Sequence, residues 1–325
     1  MEKAIIYYKN SDNIGDDIQT YAALKLVGNP DYFLDREHLN KDLTAPRTRL
    51  LCNGWFMKNP KNWPPHPNLI PLFVSLYIDH KHQCHEYMLD EKLKPYYEKF
   101  GPIGCRDKHT QQLFQNLNIP SYFSGCVTLT LPRYKGKKSD EILLVDPFVK
   151  IFDQKYVDTQ INRIIPEKHR SQVTVLTHHD YDLKNLSMEQ RMDKAAKLLD
   201  RYAKAKLIIT SRIHCALPAT AMGTPVYFMD VGYDRKHSHE RLEGLLDLFE
   251  VIDDTYFPVG GNHPWTKMRR KLGLYSKDKI HPNPIDFELK DSTLEKFKGS
   301  FTQSQQLGED IRDAVKDFFE IKTKL

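Results

Sequence analysis

A chain of 325 residues, 40% of them hydrophobic, is long enough for two ordinary domains, each with its own core. Its 48 basic and 43 acidic residues leave a net charge of +5 spread along the whole length, an excess that favours anionic ligands without demanding nucleic acid. Cys52, Cys84, Cys105, Cys126 and Cys215 are odd in number and scattered, with no C-x-x-C pair, which excludes a disulfide scaffold and a zinc ribbon and points to a reduced compartment.

The opening "MEKAIIYYKN" enters a strand-like run directly, without the basic and apolar regions of a signal peptide, and no apolar run approaches a membrane span. A cytoplasmic location is expected. The run at 3–8, a polar turn "KNSDNIGDD" and the helically spaced "IQTYAALKLV" form a strand, loop and helix. Further strands are predicted at 49–55, 70–78, 102–106 and 121–125, with helical stretches at 84–100 and 107–117. Around "LPRYKGKKSDE" (131–141) apolar residues give way to Pro, Gly, Lys and Ser, the best linker in the chain.

A second series follows, with strands at 141–146, 172–179, 207–210 and 225–230 and helices near 154–165, 188–204, 213–222 and 238–249. Two successive α/β units imply two Rossmann-like domains, 1–135 and 136–325, facing each other across a cleft that holds the site. Beyond Asp253 the pattern weakens into the turn-rich, basic "PVGGNHPWTKMRRKLG", and 292–320 has the spacing of a terminal helix packing back across the domains.

"LIITSRIHCALPATAMGTPVYFMD" (207–230) reads as strand, tight turn, helix and strand, with Ser211, Arg212 and His214 at the carboxyl edge of the sheet, where ligands bind. Ser211 suits the N-cap of the helix. Arg212 offers a forked cation for a carboxylate or phosphate, and His214 a hydrogen bond or a proton near neutral pH. A structural salt bridge and a satisfied histidine explain the same spacing equally well. The small residues of "CALPATAMG" let the helix approach the sheet closely and favour the functional reading.

These residues resemble the "SRxH" turn, small-residue helix and "GTPV" strand of the polysaccharide pyruvyl transferase family. An early "NxGD" loop, here Asn13 to Asp16, and an "RD" pair before a helix, here Arg106 and Asp107, occur in the same order, and the likeness runs over roughly residues 5 to 250. The resemblance implies a GT-B-like fold. It also implies transfer of the enolpyruvyl carbons of phosphoenolpyruvate to a sugar of a cell-surface polysaccharide precursor as a ketal. Phosphoenolpyruvate is then a donor substrate and no cofactor is implied. The acceptor is a glycan or a lipid- or nucleotide-linked sugar, met in peripheral association with the cytoplasmic membrane face.

That chemistry assigns Arg212 and Arg106 to an anion clamp, His214 to general acid or phosphate ligand, and Asp16 to general base. Asn13 and Gly15 can present amide N–H groups, or Gly15 can simply supply a tight bend. Asp107 reads better as a helix N-terminal acid than as a catalyst. Asn53, in "NGW", stands where relatives carry several glycines, which leaves less room for a phosphate cradle. Trp55 is a sugar-stacking wall or an ordinary packed aromatic.

Of His178 and His179, one is expected to reach the cleft, and His178 is taken as the substrate-binding one. No third ligand stands at metal-site spacing, so no metal is expected. Arg235, His237 and Arg241 are placed beside the same cleft or on a solvated helix face. The rival readings are a GT-B glycosyltransferase with a nucleotide-sugar donor and a non-catalytic glycan-binding protein.

Overall fold

The computed structural model describes residues 1–41, 46–148, 154–230, 239–253 and 301–320. A six-stranded sheet contains β1 (Glu2–Tyr7), β2 (Tyr32–Asp35), β3 (Thr48–Phe56), β4 (Leu69–Ile78), β5 (Ile103–Cys105) and β6 (Ser121–Phe123), in the order β2-β1-β3-β4-β5-β6. A five-stranded sheet contains β7 (Ile142–Val145), β8 (Val173–Leu176), β9 (Leu207–Thr210), β10 (Val226–Asp230) and β11 (Glu250–Asp253), in the order β11-β10-β9-β7-β8. Every pairing is parallel.

In each sheet the first strand sends its successor to one side and the third strand back to the other. The order reverses between β1 and β3, and again between β7 and β9, and ligands of doubly wound sheets bind at such reversals. The helices that leave β1 and β9, α1 (Ile14–Val27) and α7 (Ile213–Ala221), therefore start at the two switch points.

Side chains alternate across each strand, so both faces of a parallel sheet must be covered. Ala4, Ile6, Leu50, Cys52 and Phe73 form a core on one face of the first sheet, and Ile142, Leu144, Ile209 and Met229 one on the far face of the second. Between the sheets lies a third core. It takes Ile5, Leu51 and Val74 from the first sheet and Leu143, Val145, Ile208 and Phe228 from the second, filled by α1, α7, α6 (Met188–Lys204) and α8 (Phe301–Glu320). The two halves thus share apolar surface in addition to holding their own. Ala22 and Ala23 keep α1 slim enough to lie between them.

The seam is also polar. Arg191 of α6, buried, donates from Nε to Asp17 Oδ1 at 2.8 Å and from its terminal nitrogens to the carbonyls of Lys9 and Tyr8, each at 3.0 Å. Burial pushes the Asp17 carboxyl up to about 6 against the pull of Arg191.

The predicted elements recur, with five corrections. The stretch 84–100 is broken into α2 (Cys84–Met88) and α3 (Lys94–Phe100), because Asp90 caps an intervening turn through Lys92 N at 2.9 Å and Pro95 opens the second helix. The helix expected at 238–249 is two short 3₁₀ turns, Glu240–Leu242 and Leu246–Leu248, separated by Gly244 at φ 79. Strands β2 and β11, each at an edge of its sheet, were not predicted. The linker 131–141 is pinned to the second half, by Tyr134 N to the Met222 carbonyl at 3.0 Å and Lys138 Nζ to Thr224 Oγ1 at 2.6 Å. Ser211 is not the cap of α7: Arg212 holds that place, and the Ser211 hydroxyl donates to the Asp146 carbonyl at 2.6 Å. Arg235, His237, the segment "PVGGNHPWTKMRRKLG" and positions 292–300 lie outside the described residues.

Helices α4 (Lys108–Asn116) and α5 (Gln154–Ile164) complete the two halves, and α8 closes over them. Arg312 donates to the Thr130 carbonyl at 3.1 Å and Arg49 to the Phe319 carbonyl at 3.0 Å. Gly308 makes this approach possible, since a Cβ there would lie 2.4 Å from the Leu129 carbonyl oxygen. In an open helix Gly→Ala gains up to about 1 kcal/mol. Here the obstacle is backbone that cannot rotate aside, so Gly308→Ala is expected to destabilise by about 1–3 kcal/mol. A chemical denaturation midpoint at or above that of the wild type contradicts this packing.

Candidate active site

The loop from β1 into α1 is held by its own short side chains. Asn13 Oδ1 accepts from Gly15 N at 3.0 Å, and Ser11 Oγ donates to Asp16 Oδ2 at 2.6 Å. Across the seam, Ile14 N donates to the His178 carbonyl at 3.0 Å and Asp180 N to the Asp12 carbonyl at 2.8 Å, and Asn13 bridges His179 in antiparallel fashion. The amide groups of Ile14, Gly15 and Asp16 are therefore engaged inside the protein instead of facing a ligand. Gly15 does not take positive φ, so it serves no tight bend. Its reason is space: a Cβ would meet Asn13 Oδ1, His178 Nδ1 and His214 Cβ, each at 3.1 Å.

The second switch point is organised by Asp146, at φ 41 just past β7. Its Oδ2 accepts from His178 N at 2.9 Å and from Arg212 Nε at 2.8 Å, while its carbonyl accepts the Ser211 hydroxyl. Burial raises the Asp146 carboxyl, but the His178 amide, the Arg212 charge and the Thr177 hydroxyl outweigh it and hold the group below its ordinary value. Arg212 thus makes the structural salt bridge with one edge of its fork, and its side chain stays 29% exposed.

His178 does not open on a cleft. It is buried, its Nε2 pairs with Tyr202 Oη at 2.8 Å, and burial with the Arg212 charge depresses it to about 3. His214 is half-buried. Its Nδ1 stands 3.5 Å from Gln19 Nε2, and its Nε2 is buried without a hydrogen-bond partner. Burial first, then the charges of Arg106, Arg241, His178 and Arg212, hold this imidazole well below its ordinary value, so it is neutral at pH 7.

Arg106 follows β5 and is buried, its guanidinium 4.2 Å above the Tyr77 ring. Its Nε makes no hydrogen bond, and the nearest carboxylate contact, Asp107 Oδ2, is 3.7 Å away. Asp107 caps α4 by accepting from Thr110 N at 2.8 Å, the helix-terminal role its position suggests. Arg241 sits in the turn Glu240–Leu242, which is tied to α4 through Lys108 N and the Glu243 carbonyl at 3.0 Å.

Asn53 is buried on β3 with its Oδ1 unpartnered, at the bulge between Cys52 and Gly54. Gly54, at φ 101, lies beneath Tyr8, whose Oη would be 1.9 Å from a Cβ, and Gln19 Oε1 would be 3.2 Å from it. Tyr8 Oη, Gln19 Oε1, Asn53 Oδ1, Arg106 Nε and His214 Nε2 are all buried without a hydrogen-bond partner. Buried polar groups are nearly always satisfied, so such a concentration singles this place out as the candidate site.

Asp16 faces a cavity of about 390 Å³ beyond the ends of β1, β2 and β3, together with Arg36, Trp55, Lys58, Asn59 and His179. Burial raises its carboxyl, against the pull of Arg36, Ser11, Arg191 and Lys58. Trp55 is half-buried, with its Nε1 donating to Asp79 Oδ2 at 2.9 Å and Arg36 stacked 4.4 Å from its ring. Gln19 separates this cavity from His214: its Nε2 is 3.5 Å from both Asp16 Oδ1 and His214 Nδ1. Among the described residues no group of three His, Cys, Asp or Glu side chains is suited to hold a metal.

The structure therefore gathers Asn13, Gly15, His178 and His214 by contact, Arg106, Arg212 and Arg241 around His214 by charge, and Asp16 through Gln19. Sequence reasoning missed Gln19, Tyr8, Tyr77 and Asp146. Gln19 was within reach, standing one helical turn from Asp16 on the same face, and Asp146 ends a strand at the ligand-binding edge.

A histidine held neutral by burial destabilises the fold once it must charge. Because the folded-state value of His178 is depressed, its stabilisation is whole above the unfolded value near 6.5 and is lost as pH falls toward about 3. His178→Gln is expected to flatten the loss of stability across that window, read from denaturation midpoints. Parallel pH profiles for the two proteins would contradict the burial argument.

Against known proteins, the family model described as polysaccharide pyruvyl transferase matches residues 13–233. Among solved structures, a functionally uncharacterized protein from Klebsiella pneumoniae subsp. pneumoniae is similar at 13% identity and a TM-score of 0.39, over 74% of this chain and 87% of that one. No curated protein matches. Asn13 to Asp16, Arg106 with Asp107, and Ser211 to Val226 fall within the matched span, and Arg241 lies beyond its end. The chain belongs to the polysaccharide pyruvyl transferase family and is a transferase.

Proposed function

We propose that this transferase moves the pyruvyl carbons of phosphoenolpyruvate onto two hydroxyls of a sugar in a cell-surface polysaccharide precursor, forming a ketal. In this reading residues 1–135 and 136–325 are the two Rossmann-like units of a GT-B-like enzyme working in the cytoplasm, where a lipid- or nucleotide-linked acceptor is presented. The observation that carries it is the set of three guanidinium groups, Arg106, Arg212 and Arg241, whose charges bear on one neutral histidine. Phosphoenolpyruvate joins a carboxylate and a phosphate on a three-carbon frame and needs that much positive charge in one place.

In the reaction the methylene carbon gains a proton, the adjacent carbon is attacked in turn by two hydroxyl oxygens, and its bond to the phosphate oxygen breaks. Of the two hydroxyl protons released, one balances the new methyl group and the other leaves with phosphate. Asp16, raised above its ordinary value and facing the cavity, takes a hydroxyl proton. His214, neutral in the free protein, serves as a hydrogen-bond donor to the bound anion, since the surrounding arginines disfavour an imidazolium until that anion arrives.

Gln19 sets which nitrogen donates. Its amide hydrogens reach Asp16 Oδ1 and His214 Nδ1, and an imidazole that accepts at Nδ1 holds its proton on Nε2, the atom left without a partner. Nitrogen-15 shifts of His214 are expected to report the Nε2–H tautomer in the wild type and a mixture in Gln19→Leu. Loss of that hydrogen bond is expected to reduce kcat about tenfold. An unchanged tautomer in the variant removes this role.

The donor is tested by linkage. A ligand that binds only the folded protein adds about 2.7 kcal/mol at a hundredfold excess over its Kd. Phosphoenolpyruvate is expected to raise the Tm more than equimolar phosphate or pyruvate, with smaller shifts in Arg106→Ala and Arg212→Ala. Stabilisation by nucleoside diphosphates with none by phosphoenolpyruvate replaces this reading with that of a glycosyltransferase.

A further inference from the structure

Beside the cavity that Asp16 faces lies a second one, of about 490 Å³, and the two share Lys58 and Asn59. Its wall is formed by Lys58, Asn59, Lys61, His82, Gln83 and Tyr87, with Pro60 and Asn62 between them. Among the described residues no carboxylate lines it, whereas the first cavity sets Asp12, Asp16, Asp35 and Glu37 against its basic groups. Of two adjoining cavities, one is thus of mixed charge and the other lined by basic and neutral groups.

The basic wall is rigidly built. Glu37, paired with Arg36, accepts from the backbone of Lys58 at 3.1 Å and of Asn59 at 2.8 Å, and Asn62 Nδ2 donates to its carbonyl at 2.6 Å. With these groups committed, the exposed ammonium groups of Lys58 and Lys61 are what the loop offers. Lys61 Nζ stands 5.8 Å over the Tyr87 ring, which is 36% exposed. On the opposite wall His82 and Gln83 both take left-handed backbone, at φ 57 and 60. His82 meets the edge of Trp55 at 6.5 Å between ring centres, so the aromatic wall of the first cavity continues into the second.

We propose that the second cavity is a phosphate subsite for the acceptor: the sugar to be modified lies against Trp55 near Asp16, and Lys58 and Lys61 bind a phosphate or diphosphate attached to that sugar. This rests on the pyruvyl-transfer reading of the first cavity. A neutral polysaccharide chain gives two lysines without a carboxylate nothing to neutralise. A phosphorylated glycoside does, and the charge pattern then requires an acceptor modified while still joined to its activating group, before polymerisation. The same diphosphate chemistry is found on a polyprenyl or a nucleoside carrier, and Tyr87 is placed to meet what lies beyond it.

Calorimetric titrations of inorganic pyrophosphate, farnesyl diphosphate and uridine diphosphate into the wild type and into Lys58→Ala/Lys61→Ala test this. Both lysines are exposed, and circular dichroism verifies that the double variant folds. The expected result is a binding event in the wild type that weakens at least about tenfold, or disappears, in the variant. The carrier that gains most over pyrophosphate names the source of the diphosphate. Identical isotherms for the two proteins, or no diphosphate binding by either, overturn the proposal. The phosphoenolpyruvate shift is expected to be the same in the wild type and in Lys61→Ala, which lines only the second cavity, so loss of the donor reading and loss of this subsite are separate results.

Discussion

The arrangement depends on one close approach, that of Gly15 to His178 and His214. The first turn of α1 belongs to one sheet, while His178 lies in a loop and His214 in the first turn of α7 on the other, and all three surroundings of Gly15 are fixed. Asn13 Oδ1 is held by its cap bond, His178 by Asp146 and Tyr202, and His214 Cβ by the start of a buried helix. None can yield a few tenths of an ångström cheaply, so a methyl group here would pry the switch points apart. The distance that sets Gln19 against His214 follows from this contact, because both ride on the helices it joins.

Electrostatics then does what packing alone cannot. Placing several guanidinium groups near a half-buried imidazole is unfavourable in the free protein, and the molecule reduces the penalty without cancelling the charge. Arg106 rests on the Tyr77 face, a contact that attracts a cation, and its Nε makes no hydrogen bond. The neighbouring Asp107 is turned to capping α4, and burial raises its carboxyl, which weakens its hold on Arg106. Arg212 gives one nitrogen to Asp146. Such a site is relieved by an incoming anion.

Much of this was legible in the sequence, because the features that wrote it were local. The strands at the centre of each sheet are continuous apolar runs, and the "SRIH" turn announces itself by placing polar residues between a buried strand and a small-residue helix. What escaped depended on distance along the chain. Asp146 and Arg212 are 66 residues apart, and Gln19 and His214 are 195 apart. Nothing near either partner records the pairing. The role of Gly15 was misjudged for the same reason, since a glycine needed for space looks like one needed for a bend. His178 was expected at the cleft because it ends a strand there, but its burial is decided by Tyr202 and Asp146.

The seam is better described as a floor than as a hinge. Rotating the halves apart would separate the buried Arg191 and Asp17, which are paired across the seam. It would also strand the Tyr8 and Lys9 carbonyls and part the core shared by the sheets, with α8 laid over it. Domain closure around a ligand requires an interface that opens at little cost. This one does not, so the groups around His214 are set before any ligand binds. Catalysis on such a site draws on prepaid order, with the arginines and the imidazole already placed where negative charge must sit.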